Sequence, residues 1–280
     1  MAALEGHGAL VTGGGSGIGE GCALALARDG AVVTLCGRTP EKLDAAAQRI
    51  RDAVPGAGVH TIPADVTVEA EIAAAVDKAT REAGALHAVV ASAGGSLHMG
   101  PLHLADAEAV RSTFELNMMG TFLTLKQSVP ALATTRGSFV GISSHVAVQS
   151  ERFLGAYAAS KAGLDQIVRI AADELGPSGV RVNAIRPGII DNELMSAITS
   201  GGPVLDSYLH EIPLGRVGTV DDVGALARFL CGPESSFVTG QCIGVDGGQT
   251  LRSGADYTAF AQPMYGTEPD WALVTGTEQQ

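Results

Sequence analysis

A phenol and a primary amine stand four residues apart in Tyr157-Ala-Ala-Ser-Lys161. On a helix that spacing puts both side chains on one face, where they can serve one atom. A free tyrosine ionises near pH ~10, too high for proton exchange at neutrality, and a neighbouring ammonium favours the phenolate and brings it toward the working range. Such a pair can act as a general acid and base. The same spacing also arises on ordinary exposed helices, so its meaning depends on what the chain places beside it.

A second candidate lies near the start. Thr12-Gly-Gly-Gly-Ser-Gly-Ile-Gly19 follows an apolar run and opens a helical pattern that reaches Gly30. Free backbone N–H groups and a positive helix end at Gly13, Gly15, Ser16, Gly17, Ile18 and Gly19 suit a pyrophosphate, and glycine lets the phosphates approach without a Cβ in the way. The spacing Gly13-x-x-x-Gly17-x-Gly19 is not the G-x-G-x-x-G of the long-chain fingerprint. The next strand ends Leu35-Cys36-Gly37-Arg38, about 20 residues on, where an acidic residue would hold the ribose hydroxyls of NAD. Gly37 and Arg38 instead offer room and a guanidinium for a 2′-phosphate. NADP is therefore the expected cofactor and NAD the alternative, since Ser16 stands where a basic residue would strengthen the preference.

These groups need a frame. Apolar, β-rich runs at Gly8–Thr12, Ala31–Cys36, Val59–Pro63, His87–Ala91, Ser138–Ser143, Val180–Arg186 and Cys242–Val245 alternate with longer alanine-rich helical segments. Strands that are apolar almost throughout are covered on both faces. The pattern predicts an α/β fold, a single doubly wound, Rossmann-type, seven-stranded parallel sheet with helices on both sides. Its ligand crevice should lie at the carboxyl ends of the strands. Ser200-Gly-Gly-Pro203 marks a break in a segment after Pro187 that could close over a substrate.

Composition removes other classes. A formal net charge of -12 argues against a nucleic-acid surface and against anionic membranes. No apolar run is long enough to span a bilayer, and the start lacks a basic segment followed by an apolar one, so a cytoplasmic protein is expected. Cys22, Cys36, Cys231 and Cys242 have no Cys-x-x-Cys spacing and the histidines are dispersed, which predicts reduced thiols and no metal site.

With Tyr157, Lys161 and the glycine loop in place, the chain resembles the short-chain dehydrogenase/reductase family from Gly8 to Gly248. Further matching pieces are Asp65-Val66 after the third strand, Ala93-Gly94 after the fourth, Asn117 forty positions before Tyr157 and Ser144 thirteen before it. Pro187-Gly188 and Val245-Asp-Gly-Gly248 end the sixth and seventh strands. The resemblance implies an NAD(P)-dependent oxidoreductase acting on a secondary alcohol or its ketone, with Tyr157 as general acid/base. Lys161 would lower its pKa and bind the nicotinamide ribose, Ser144 would hydrogen-bond the reacting oxygen, and Asn117 would hold a water linking Lys161 to solvent. Asp65 would contact the adenine, and Val66, Ala93, Gly94, Pro187, Gly188 and Ile190 would complete the cofactor groove.

Alternatives stay open at several positions. Ser143 adjoins Ser144 and either could cap a turn, and Asn117 could cap a helix. The family's usual Asn-Asn-Ala-Gly reads Ala91-Ser-Ala-Gly94, which removes polar side chains that brace the central sheet. Where the family often has a threonine after Pro187-Gly188, this chain has Ile189-Ile190-Asp191-Asn192, and whether Asn192 replaces the hydroxyl is open. His145 reads as a solvated loop residue more readily than as a substrate contact. A 3-oxoacyl thioester reductase would use the same residues, and a non-catalytic dinucleotide-binding sensor could share the fold.

Residues 1–248 form the expected dinucleotide-binding and catalytic domain, and 249–280 an extension that carries Tyr257, Phe260, Tyr265 and Trp271. Rings so concentrated suggest docking over the substrate cleft or on a neighbouring subunit. By the resemblance, segments Asp106–Ala133 and Gly155–Gly176 would pair copies of the chain into a homodimer or homotetramer.

Overall fold

Ala9 and Val11 pack into one apolar cluster and Leu10, between them, into another. That alternation, repeated along the strands, is what lets a sheet bury both of its faces. The computed structural model describes residues 3–252 and 257–266. Seven strands, β1 (Gly8–Thr12), β2 (Val32–Gly37), β3 (Val59–Pro63), β4 (Ala88–Ala91), β5 (Ser138–Ile142), β6 (Arg181–Pro187) and β9 (Cys242–Val245), form one sheet. Their order is β3-β2-β1-β4-β5-β6-β9, with every neighbour parallel. The doubly wound architecture expected from the sequence is therefore the one observed, with strand ends displaced by at most a residue. A separate two-stranded pair, β7 (Ile190–Asp191) and β8 (Gly218–Thr219), had no sequence signal of its own.

Helices α1 (Gly17–Arg28), α2 (Pro40–Ala53) and α9 (Val220–Cys231) cover one face through Leu26, Leu43, Ile50 and Leu230. Helices α3 (Glu69–Ala83), α5 (Gly120–Thr135) and α6 (Gly155–Leu175) cover the other through Ile72, Leu132, Leu164 and Val168. Helix α4 (Ala107–Phe114) runs into α5 through a π-helical turn, Glu115–Met119. Between β7 and β8 lie α7 (Ser196–Thr199) and α8 (Pro203–Glu211), and α10 (Thr258–Tyr265) follows the sheet.

Strand order reverses between β1 and β4, the point at which loops from the two halves of the sheet part and leave a crevice at the carboxyl ends. The polar brace lost from Ala91-Ser-Ala-Gly94 is supplied from β1: the Thr12 hydroxyl accepts from the amides of Ser92 and Ala93 at 3.2 and 3.3 Å.

Candidate active site

At the crevice the glycine loop leaves β1 through Gly13, which sits at φ 66°. A Cβ there would lie 2.9 Å from the Ala93 amide nitrogen, so the loop can pass β4 this closely only with glycine. Ser16 is the N-cap of α1, yet its side chain makes no capping bond, and the helix keeps its first N–H groups toward the loop. Gly17 borders Asn192, whose Oδ1 accepts from the Met195 amide while its Nδ2 donates to Ile190 O. Asn192 thus closes its own turn against the glycine loop, with its carboxamide engaged locally. Ile190 is buried in β7, and Gly218 donates its amide to Ile189 O at 2.9 Å.

Arg38 is exposed at the end of β2. Burial works against ionisation of Asp65, but the Thr67 amide and hydroxyl on its Oδ1, at 2.9 and 2.7 Å, and the Arg38 charge outweigh it and hold the carboxyl below its ordinary range. Val66 is buried behind it. Lys42, which the sequence did not single out, lies beside the loop: a Cβ on Gly15 would lie 3.3 Å from the Lys42 Cβ, and Lys42 Nζ is 3.8 Å from Glu193 Oε1. Its only signal was the position of a cation on the first turn of α2, facing the glycine loop.

Tyr157 and Lys161 lie on α6 with the ammonium 5.7 Å from the centre of the phenol ring. Lys161 is 3% exposed and donates to Ile142 O at 2.7 Å. Burial draws its pKa down to about 8, opposed by the charge of Asp165. Tyr157 is shifted the other way, above its ordinary value: burial is the main cause and the Glu151 carboxylate adds to it, while a hydrogen bond from Ser144 lowers it. Ser143 turns away, donating to Lys161 O at 3.4 Å, whereas Ser144 begins the turn His145–Ala147, accepts from the Val146 amide and meets Tyr157. Ser144 therefore caps a turn and faces the phenol at once.

Asn117 is fully buried in the π-helical turn, a distortion frequent at functional sites. Its Oδ1 accepts from the Gly95 amide and its Nδ2 donates to Gly95 O, both at 2.9 Å, and also to Ser160 Oγ at 3.0 Å. It caps no helix end. Gly94 completes this corner, since a Cβ on it would lie 2.6 Å from Asn117 Oδ1 and 3.0 Å from Lys161 Nζ. Pro187 and Gly188 close the far side, where Gly188 donates its amide to Val245 O at 3.0 Å.

His145 is buried, contrary to its reading as a solvated loop residue, with Nδ1 3.1 Å from Pro187 O and Nε2 2.6 Å from Glu151 Oε1. At the mouth, the Gly100 amide donates to Phe153 O, which ties the loop after β4 to the loop before α6. Phe153 adopts φ 75°, and the Arg152 guanidinium lies 5.1 Å from its ring centre. Leu97, Met99, Val148 and Val204 on these loops and on α8 are exposed.

A family model described as enoyl-(acyl carrier protein) reductase matches residues 13–250. A solved short-chain type dehydrogenase/reductase from Mycobacterium ulcerans is 46% identical and superposes with a TM-score of 0.87, covering 94% of this chain and 96% of that one. The chain is a short-chain dehydrogenase/reductase. A cis-4-hydroxycyclohexanecarboxylate dehydrogenase from Sinomonas cyclohexanicum is 35% identical over 86% of this chain and 96% of its own length. A Burkholderia cenocepacia short-chain dehydrogenase, solved in complex with NADP, is 30% identical with a TM-score of 0.81, over 88% of this chain and 99% of that one. As a short-chain dehydrogenase/reductase the protein is an oxidoreductase whose bound nicotinamide cofactor gives or takes a hydride from a secondary alcohol or its ketone. The residues present fit such a cofactor: the passages at Gly13 and Gly94 have no room for a Cβ, and the helix end behind Ser16 is free of a side-chain cap. Among the described residues no helix is long and apolar enough to cross a membrane.

Proposed function

We propose that the protein is an NADP-preferring dehydrogenase/reductase of a secondary alcohol and its ketone carried on an apolar, ring-like body, with Tyr157 as general acid/base. The observation that carries this reading is the meeting of Ser144 with Tyr157 on one side of Lys161, and of Asn117 and Gly94 on the other. In reduction, the Tyr157 hydroxyl gives its proton to the substrate oxygen; in oxidation, the phenolate takes it back. Ser144 donates to that oxygen as negative charge builds on it, and so acts chiefly along the reaction path. Lys161, pinned to Ile142 O, sets a positive field under the phenol and faces the nicotinamide ribose. Asn117 fixes Gly95 and with it the floor beside Gly94, and a water at its amide would join Lys161 to solvent. Glycine-loop amides of residues 13–19 hold the pyrophosphate, Asp65 and Val66 face the adenine, and Ala93, Gly188 and Ile190 line the nicotinamide end.

Support for NADP comes from two cations, Lys42 beside the glycine loop and Arg38 exposed at the end of β2, and from a relative solved in complex with it. Support for the substrate class comes from the apolar mouth at Leu97, Met99, Val148, Phe153 and Val204, and from a relative named for a hydroxylated cyclohexane acid. Four unpaired cysteines suit a cytoplasmic setting. The helices α4 to α6 serve as the pairing surface of a homodimer or homotetramer. The 249–280 extension packs on the catalytic domain or on a neighbouring copy: Tyr257, the N-cap of α10, and Phe260 within it are exposed in the single chain, while Trp271 lies outside the described residues.

The deciding experiment is a panel of cyclic and open-chain secondary alcohols and ketones, assayed with NADP(H) and with NAD(H) by absorbance of the reduced nicotinamide. Turnover of ring alcohols with NADP favoured is the expected result. Cofactor binding without turnover across the panel would instead favour a dinucleotide sensor.

A further inference from the structure

Four side chains from distant parts of the chain meet beside Tyr157. The Glu151 carboxylate is their hub: Oε1 lies 2.6 Å from His145 Nε2 and accepts from Gln249 Nε2 at 3.3 Å, and Oε2 accepts from the Tyr208 hydroxyl at 2.8 Å. His145 belongs to the turn after Ser144, Glu151 to the loop before α6, Tyr208 to α8 and Gln249 to the turn after β9. Both ring nitrogens of His145 are engaged, Nδ1 3.1 Å from Pro187 O, and Nε2 2.6 Å from the Glu151 carboxylate and 3.1 Å from Gln249 Nε2. Gln249 is fully buried with its Oε1 unpartnered. Ionic clusters of this kind are a costly way to fill space, and apolar packing would serve stability as well or better.

What the cluster holds is a helix that, among the described residues, has few other side-chain hydrogen bonds to the rest of the fold. No residue of α8 is buried. Its N-terminal end follows Gly201 and Gly202 at φ 131° and 103°, backbone states that favour glycine and suit a hinge. Besides the Tyr208 bond, the Arg252 guanidinium donates to His210 O at 2.9 Å.

We propose that Glu151 is a positioning residue: its carboxylate latches α8 through Tyr208 to the catalytic turn through His145, so that lid closure and proton handling at Tyr157 are set together. This rests on Tyr157 being the acid/base. The groups that face the latch are His145, Tyr208 and Tyr157 around Glu151, and Glu211 beside Tyr208. Burial opposes ionisation of Glu151, but His145, Tyr208 and Gln249 outweigh it and keep the carboxylate charged through the neutral range. That charge disfavours the Tyr157 phenolate. Opening the latch removes both the closed helix and part of this bias.

Glu151→Gln keeps the shape of the hub without its charge, and Tyr208→Phe removes one hydroxyl. With NADP bound, amide hydrogen exchange across 203–211 should run about tenfold faster or more in either variant, the local opening becoming cheaper. On an alcohol turned over by the wild type, KM should rise severalfold with a smaller change in kcat. In Glu151→Gln the alkaline rise of the oxidation profile should move down by about half a pH unit or more. Unchanged exchange in both variants overturns the latch, and an unmoved pH midpoint in Glu151→Gln overturns its link to Tyr157. Should Glu151→Gln fail to fold, exchange and KM in Tyr208→Phe decide. A wild type without turnover would fail the active-site reading alone, because the exchange measurement needs no catalysis.

Discussion

Asn117 and Gly95 exchange two hydrogen bonds of 2.9 Å, side-chain carboxamide against main-chain N–H and C=O. The pairing ties the π-helical turn to the loop that follows β4, and Ser160 joins it from α6 at 3.0 Å. Asn117→Ala removes the side-chain partners of the half-buried Gly95 groups and should cost about 1–2 kcal/mol of stability. Asn117→Asp keeps the acceptor but sets an oxygen against Gly95 O, and should lower kcat further than it lowers Tm. Denaturant unfolding and steady-state kinetics on both variants check this.

Lys161 carries a penalty in the folded state. Its pKa falls from 10.5 unfolded to about 8 folded. Below pH 8 both states hold the proton and the whole cost of burying the ammonium, on the order of 3 kcal/mol as an upper bound, falls on the fold. Between pH 8 and 10.5 the unfolded chain binds the extra proton, so this contribution makes the fold gain stability as pH rises. Lys161→Met should therefore lose turnover by about 10²-fold or more yet melt no lower than wild type at pH 7. Its advantage should shrink on titration toward pH 10, as read by calorimetry.

Burial raises the Tyr157 pKa, so the phenol is protonated at neutrality. Ketone reduction should be steady through the neutral range, and alcohol oxidation should climb into the alkaline range. Tyr157→Phe should remove roughly 10²–10⁴ of kcat in both directions and leave the cofactor dissociation constant within about twofold. Initial rates across pH, with fluorescence titration of the cofactor, test both statements.

Glu193 stands 3.8 Å from Lys42 and competes with any phosphate for that ammonium. Arg38→Ala should weaken NADP by about tenfold with little change for NAD, the loss expected for a charge-assisted contact. Glu193→Gln should tighten NADP binding. Opposite signs in isothermal titration would reverse the cofactor assignment.

Removing the chain after Leu251 should change the substrate KM or the mass in solution, because α10 leaves Tyr257 and Phe260 exposed in the single chain. Kinetics beside light scattering would reveal it, and no change in either would show the extension to be a mere surface appendage.

Most of the frame is written in local pattern. Near-continuous apolar runs flanked by glycine give the strands, and β1, β3 and β9 begin and end where those runs do. Tyr157 and Lys161 share a helix face because the spacing alone requires it. The latch is another matter. Glu151 lies 57 positions from Tyr208 and 98 from Gln249, and no local period links residues so far apart. His145 was misread for the same reason: a histidine in a polar loop looks solvated until a distant carbonyl and a carboxylate are seen to enclose it. The β7–β8 pair, two residues to a strand, is too short to leave a signature.

Because Thr12 supports the Ser92 and Ala93 amides from the neighbouring strand, the segment leading away from β4 is relieved of supporting itself. Its side chains are at liberty to drift. A lineage can recompose the exposed positions Ser96, Leu97 and Met99 without loosening the middle of the sheet, and a library confined to those three positions should yield variants that fold and differ in what they accept.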